Sequence, residues 1–277
     1  MTHPENARRI SSMRKPAFTL VELVVAIATI ALLLTISVSS LQSARRRAKA
    51  ALCGSNVRQL ILALMAYETE NETFPHAFDT SPAGPPPGGY PGYSQYDRKG
   101  WWWFNHIVDY SKKDSDRVSA IWCPFRQVRT DNLKDNVLCG NYGVNQSICK
   151  SSVGRRSHAE FIGIPLRSTD ISHPSQTLLL VDSGYSMINW WHAADIPPVL
   201  LGNSTIEDTA YIPGLWINRE RALWPGQEED AINGRHPNKT INVGFADGHV
   251  NRTKAEDLFV EKTNSGYENI RPLWLPK

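Results

Sequence analysis

The sequence is short of the patterns that announce chemistry. Its four cysteines, Cys53, Cys123, Cys139 and Cys149, make no CxxC pair, which argues against a zinc ribbon. There is no HExxH helix, no EF-hand loop and no GxSxG elbow, so nothing points to a zinc protease, a calcium loop or an α/β-hydrolase. The net charge is only +3, too little to argue for a nucleic-acid partner. No period of 20–50 residues repeats, which excludes a solenoid. The mean hydropathy of −0.35 excludes a multi-span membrane protein. On these absences the expectation is a protein that is not an enzyme.

What is present is uneven. The 277 residues are 41% hydrophobic and 21% charged, an ordinary globular balance for one or two domains. Residues 1–49 carry eight basic side chains against Glu5 and Glu22, whereas the remainder is mildly acidic. A basic beginning on such a body fits a membrane-proximal segment with a folded domain attached.

One stretch stands apart. Phe18 to Leu41 reads FTLVELVVAIATIALLLTISVSSL, 24 residues with one charge and no Gly or Pro. A helix of about 20 apolar residues spans a bilayer core. A secretory signal has a shorter apolar core of about 7–15 residues, although Ser37-Val38-Ser39 offers a cleavage-like site. A plain anchor also fits. Neither reading accounts for Glu22, because a carboxylate at mid-bilayer costs about 2.5–3.5 kcal/mol on insertion scales. Basic residues flank the run equally, Arg8, Arg9, Arg14 and Lys15 before it and Arg45, Arg46, Arg47 and Lys49 after it, so charge alone sets no orientation.

Arg14-Lys15-Pro16-Ala17 followed by Phe18-Thr19-Leu20-Val21-Glu22 resembles the type IV prepilin cleavage and methylation motif. The resemblance implies that a prepilin peptidase cuts between Ala17 and Phe18 on the cytoplasmic side and methylates the new Phe18 amino terminus. Ala17 replaces the usual Gly before the cut. Glu22 becomes the fifth mature residue, placed to pair with the Phe18 ammonium of a neighbouring subunit during assembly. The implied partners are further subunits, the peptidase, an inner-membrane assembly platform and membrane lipid. The implied product is a type IV pilus or type II secretion pseudopilus, with residues 1–17 as cytoplasmic leader, residues 18–41 in the inner membrane and the bulk of the chain in the periplasm.

The body extends the resemblance. Pilin-like proteins of one large bacterial subgroup, H-X9-DG, end in a His, nine residues and Asp-Gly. Here ten residues separate His236 from Asp247-Gly248, a departure of one. Trp122-Cys123-Pro124, Asn141-Tyr142-Gly143-Val144-Asn145 and Pro174-Ser175-Gln176-Thr177 leading to Val181-Asp182 also resemble that subgroup.

The expected architecture is α+β and pilin-like: one long helix laid on a mostly antiparallel sheet. Residues 42–74 continue the helix, with Cys53, Val57, Leu60, Ile61, Leu64 and Tyr67 at helical spacing and Pro75 as the stop. Residues 75–277 form the body. Ser81–Gly92 reads as an exposed loop, and Trp101–Tyr110 as a short helix. Ala120–Cys123, Thr177–Val181, Met187–Trp191 and Ile241–Ala246 read as strands. Asp247-Gly248 suits a type I′ hairpin turn, and Thr253-Lys254-Ala255-Glu256 offers a capping box.

Asp182, His236, Asp247 and His249 are the candidate site residues. They form either a structural cluster or, through carboxylate and imidazole, a site for calcium or another metal; the structural reading is preferred for want of a metal-spacing motif. The four cysteines allow three disulfide pairings, with Cys139 and Cys149 closest in sequence and Cys53 able to pin the helix to the body; free thiols are equally open. Trp101–Trp103 and Trp190-Trp191 suggest an alternative, a membrane-anchored module that binds polysaccharide or another surface ligand by aromatic stacking.

Overall fold

The computed structural model describes residues 19–87, 99–108, 119–128, 133, 135–154, 156–195, 210–264, 266–268 and 274–276. The leader, with Ala17 and Phe18, and the second part of the Ser81–Gly92 loop lie outside the described residues. The chain divides into two compact units between Arg46 and Arg47.

Helix α1 spans Leu20–Asn71. Its start is capped locally. The Thr19 hydroxyl accepts from the Glu22 backbone N–H at 3.2 Å, while the Glu22 carboxylate accepts from the Thr19 N–H at 2.9 Å and its hydroxyl at 2.8 Å. This is a reciprocal capping box. From Leu23 to Leu41 the helix carries no charge, and Leu20, Leu23, Ile27, Ile30, Leu33 and Leu41 are all exposed.

In the second unit the helix becomes one-sided. Cys53, Val57, Leu60, Ile61 and Leu64 are each 0% exposed, as their spacing predicts. They cover one face of a five-stranded sheet in the order β5–β3–β4–β6–β7. The strands are β3 (Tyr142–Asn145), β4 (Leu178–Asp182), β5 (Met187–Ile188), β6 (Thr240–Phe245) and β7 (Val250–Lys254). The sheet is mixed: β3–β4, β4–β6 and β6–β7 are antiparallel, and β3–β5 is parallel. Among the described residues there are also two small antiparallel pairs, β1 (Phe78–Asp79) with β2 (Trp101–Trp102) and β8 (Lys262–Thr263) with β9 (Gly266–Tyr267).

Strand β6 explains how the layers meet. Ile241, Val243 and Phe245 point away from the helix into a second core with Ile212, Leu215, Leu258 and Trp274. The alternate residues Asn242 and Gly244 lie under α1. A Cβ at Gly244 would stand 2.3 Å from Ile61 Cγ1 and 3.4 Å from Val57 Cγ1, so glycine here permits close helix–strand approach. In β4 a register shift between Leu178 and Leu180 breaks the alternation, which places Leu178 and Val181 in the second core and Leu179 and Leu180 in the first.

Several local expectations change. Ala120–Cys123 is not a strand; Ser119–Ile121 is a 3-10 turn. Trp101 and Trp102 are strand, and only Trp103–His106 forms the short helix α2. Strand β5 ends at Ile188 because Asn189 caps a 3-10 turn over Trp190–Ala193. The Asp247-Gly248 turn is not type I′. Gly248 alone has positive φ, +93°, while the Gly248 N–H bonds Phe245 O and the Phe245 N–H bonds His249 O. This is a type I turn closed by a glycine bulge. The following 3-10 turn, Ala255–Leu258, is capped by Asp257, which accepts from Thr253 Oγ1 and from the Lys254 N–H, and not by Glu256.

Candidate functional site

The predicted residues separate into two pairs. Asp182 and His236 meet in the core, with His236 Nε2 3.1 Å from Asp182 Oδ2. Asp247 and His249 meet at the tip of the β6–β7 hairpin, Oδ1 to Nδ1 2.5 Å, with the imidazole stacked on Phe245 at 4.2 Å. The tip lies beyond the far end of β6 from Asn242, the residue that holds Asp182, so the four do not form one cluster.

The buried pair belongs to a larger polar network. Asp182 closes β4 opposite Tyr142 and faces Asn242 of β6, whose backbone N–H and side-chain amide donate to Oδ2 at 2.6 and 3.0 Å. A π-turn over Glu229–Asn233 delivers Asp230, and the chain then reverses at Gly234 to bring in Arg235 and His236. Arg235 forms a two-pronged pair with Asp230, Nε to Oδ1 at 3.0 Å and Nη2 to Oδ2 at 2.7 Å. It also donates to Asn141 O at 2.6 Å and Ser183 O at 3.0 Å, and its Nη1 stands 4.0 Å from Asp182 Oδ1. Tyr211 donates to Asp230 at 2.9 Å. All four ionisable side chains, of Asp182, Asp230, Arg235 and His236, are 0% exposed.

Electrostatics fix the protonation state. Burial opposes charge on His236, yet the adjacent Asp182 carboxylate raises its pKa to about 9. Burial likewise pushes the Asp182 carboxyl up, but His236, Arg235 and the Asn242 N–H together hold it below its ordinary value. With His236 protonated, two anions face two cations. A buried network of this kind is tolerable only when balanced and hydrogen-bonded.

Next to it lie two thiols. Cys53 of α1 and Cys123 are buried with sulfurs 3.0 Å apart, and Phe125 packs edge-on to His236 at 5.1 Å. Cys139 and Cys149 are buried thiols at either end of β3. Burial raises the Cys149 pKa.

Sequence reasoning found Asp182 and His236 but missed Asp230, Arg235 and Asn242. The available signal was the Arg235-His236 pair flanked by glycine and proline, and the polar Asn242 inside an otherwise apolar strand. It also missed the Thr19–Glu22 box, although Thr-x-x-Glu before an apolar run is its signature. Of the aromatic candidates, Trp102 and Trp103 are 0% exposed and serve the core. Trp190 packs on Tyr267 and Trp191 on Phe161. No protein-family model, curated protein or solved structure matches this chain.

Proposed function

We propose that this chain is a prepilin-like structural subunit, cut by a prepilin peptidase between Ala17 and Phe18, methylated at Phe18 and assembled through its apolar helix into a pilus or pseudopilus of the inner membrane. The observation that carries the reading is α1 itself. Its first half is a single apolar helix, long and apolar enough to cross a membrane, with its apolar side chains left exposed. A surface of that kind is covered by lipid or by other helices. The only carboxylate in it, Glu22, sits in its first turn, where a Phe18 ammonium would be nearest. The second half of the same helix is built into the folded body, so a subunit pulled by the helix carries the body with it. The work is mechanical, and the protein is the peptidase's substrate.

Mass spectrometry of the mature N-terminus from isolated membranes tests this. A terminal peptide beginning at N-methylated Phe18 is the expected result. An intact Met1 terminus in a host with active prepilin peptidase, or a start near Leu41, rejects it.

A second reading, an anchored module for polysaccharide, is favoured by one feature. An open groove is lined by Trp216, Phe245, His249 and Phe259 together with Glu256 and Asp257. Trp216 is 47% exposed and packs on Phe259 at 5.0 Å. Aromatic faces beside carboxylates suit sugar rings. An unprocessed terminus together with retention on a polysaccharide column that Trp216→Ala abolishes would support this reading over the first.

A further inference from the structure

The scaffold described above gives no role to the Cys53 and Cys123 thiols. Both sulfurs and a ring nitrogen of His236 lie within 4.8 Å of one another, all buried. The polar side chains that face these sulfurs are His236, toward Cys123, and Tyr142, toward Cys53. Two chemistries suit such a place, a soft metal ion on two thiolates and an imidazole, or a disulfide.

Donor number and charge choose between them. Zinc holds thiolates at about 2.3 Å and takes four ligands, which sets tetrahedral sulfurs about 3.8 Å apart. The observed 3.0 Å would have to widen inside a packed core, and the His, Cys, Asp and Glu donors at the spot among the described residues number three. A disulfide, at about 2.05 Å, needs contraction instead. Charge points the same way. Asp182 and Asp230 already balance Arg235 and protonated His236, leaving room only for uncharged sulfurs. A zinc dithiolate would require neutral imidazole and leave one buried negative charge uncompensated.

We infer that Cys53 and Cys123 form a disulfide that ties α1 to the segment preceding β3. Hydrogen bonds preset the pair. Asn56, one residue short of a full turn beyond Cys53, donates to Trp122 O at 3.0 Å, and the Cys123 N–H donates to Asn141 Oδ1 at 3.0 Å. Oxidation rests on the export of the body proposed above, because disulfides persist in such compartments. Each thiol loses a proton, and two electrons pass to the disulfide of a thiol–disulfide oxidase; one S–S bond forms here as one breaks there. Cys139 and Cys149 stay thiols.

The test uses the full chain from membranes, acid-quenched at harvest, denatured and alkylated before and after reduction. Two alkylated cysteines before reduction, Cys139 and Cys149, and four after are expected, with a peptide cross-linked through Cys53 and Cys123. Four alkylated cysteines before reduction overturn the inference, whether or not stoichiometric zinc or copper is found with the protein. Thermal unfolding in detergent adds a second readout. Cys53→Ser and Cys123→Ser should each lower Tm by roughly 10 °C, and the double variant should fall no further. Additive losses would indicate packing alone and overturn it. Protease accessibility of the body in intact spheroplasts is scored separately: protection sinks the export reading, while a cross-linked peptide in protected protein still leaves the pairing standing.

Discussion

His236 and His106 are single residues that push stability in opposite directions with pH. His236 has its pKa raised, to about 9, so its contribution is complete below about pH 6.5 and is lost as pH climbs through 9. The shift corresponds to about 3 kcal/mol. His106 is half-buried between Tyr67 and Trp101 with Nε2 sealed and unpartnered, and this desolvation lowers its pKa to about 4. The folded state therefore resists its protonation, and stability falls as pH drops from about 6.5 towards 4, also by about 3 kcal/mol. Urea midpoints of the full chain in detergent should peak near pH 6.5. His106→Phe should flatten the acid limb and His236→Gln the alkaline limb; an unchanged alkaline limb in His236→Gln would show that His236 is neutral in the folded protein. Asp182→Asn keeps the shape but removes the anion that His236 and Arg235 face. It should cost about 3–5 kcal/mol at pH 7, far more than Asp247→Asn at the partly exposed hairpin tip.

Among the elements, the contact between α1 and β6 is the most exacting. Gly244→Ala would drive a Cβ into Ile61 and is expected to cost about 1–3 kcal/mol. In an Ile61→Ala background, which lacks both contacted atoms, Cγ1 and Cδ1, the same Gly244→Ala change should cost less; strict additivity of the two substitutions would mean that the helix does not rest on this glycine. This contact also shows what the sequence could convey. The long helix was legible because its apolar run is unbroken and its second half keeps a helical stripe from Cys53 to Leu64. Strand β6 was legible from its alternation, but not that its Asn242–Gly244 face is buried. A strand covered by a helix on one side and by 3-10 turns on the other hides small and polar residues that usually mark solvent. The Ala120–Cys123 run failed as a strand because its apolar residues fill a turn beside the helix, and four residues are too few for periodicity to decide. Asp230 was illegible for another reason. Its partner Arg235 is only five residues away, but the pairing exists only because a π-turn and Gly234 fold the segment back on itself.

For the whole molecule the decisive residue is Glu22, because two roles converge on it. The structure gives it a local one, closing the capping box with Thr19. The proposed assembly gives it a second one, as the anion that receives the Phe18 ammonium of a neighbour. The two are separable by chemistry. Glutamine serves a capping box nearly as well as glutamate but carries no charge. Glu22→Ala removes both roles, and should leave membrane insertion intact because it lowers the cost of burying the helix. If assembly depends on the ion pair, Glu22→Gln should be inserted and processed normally and yet fail to appear in sheared filaments, as Glu22→Ala does. If only the cap matters, Glu22→Gln should assemble like the parent, and Thr19→Ala should be the damaging change. Recovery of Glu22→Gln in filaments at parental levels would therefore remove the inter-subunit ion pair from the mechanism and leave helix packing as the force that holds subunits in register.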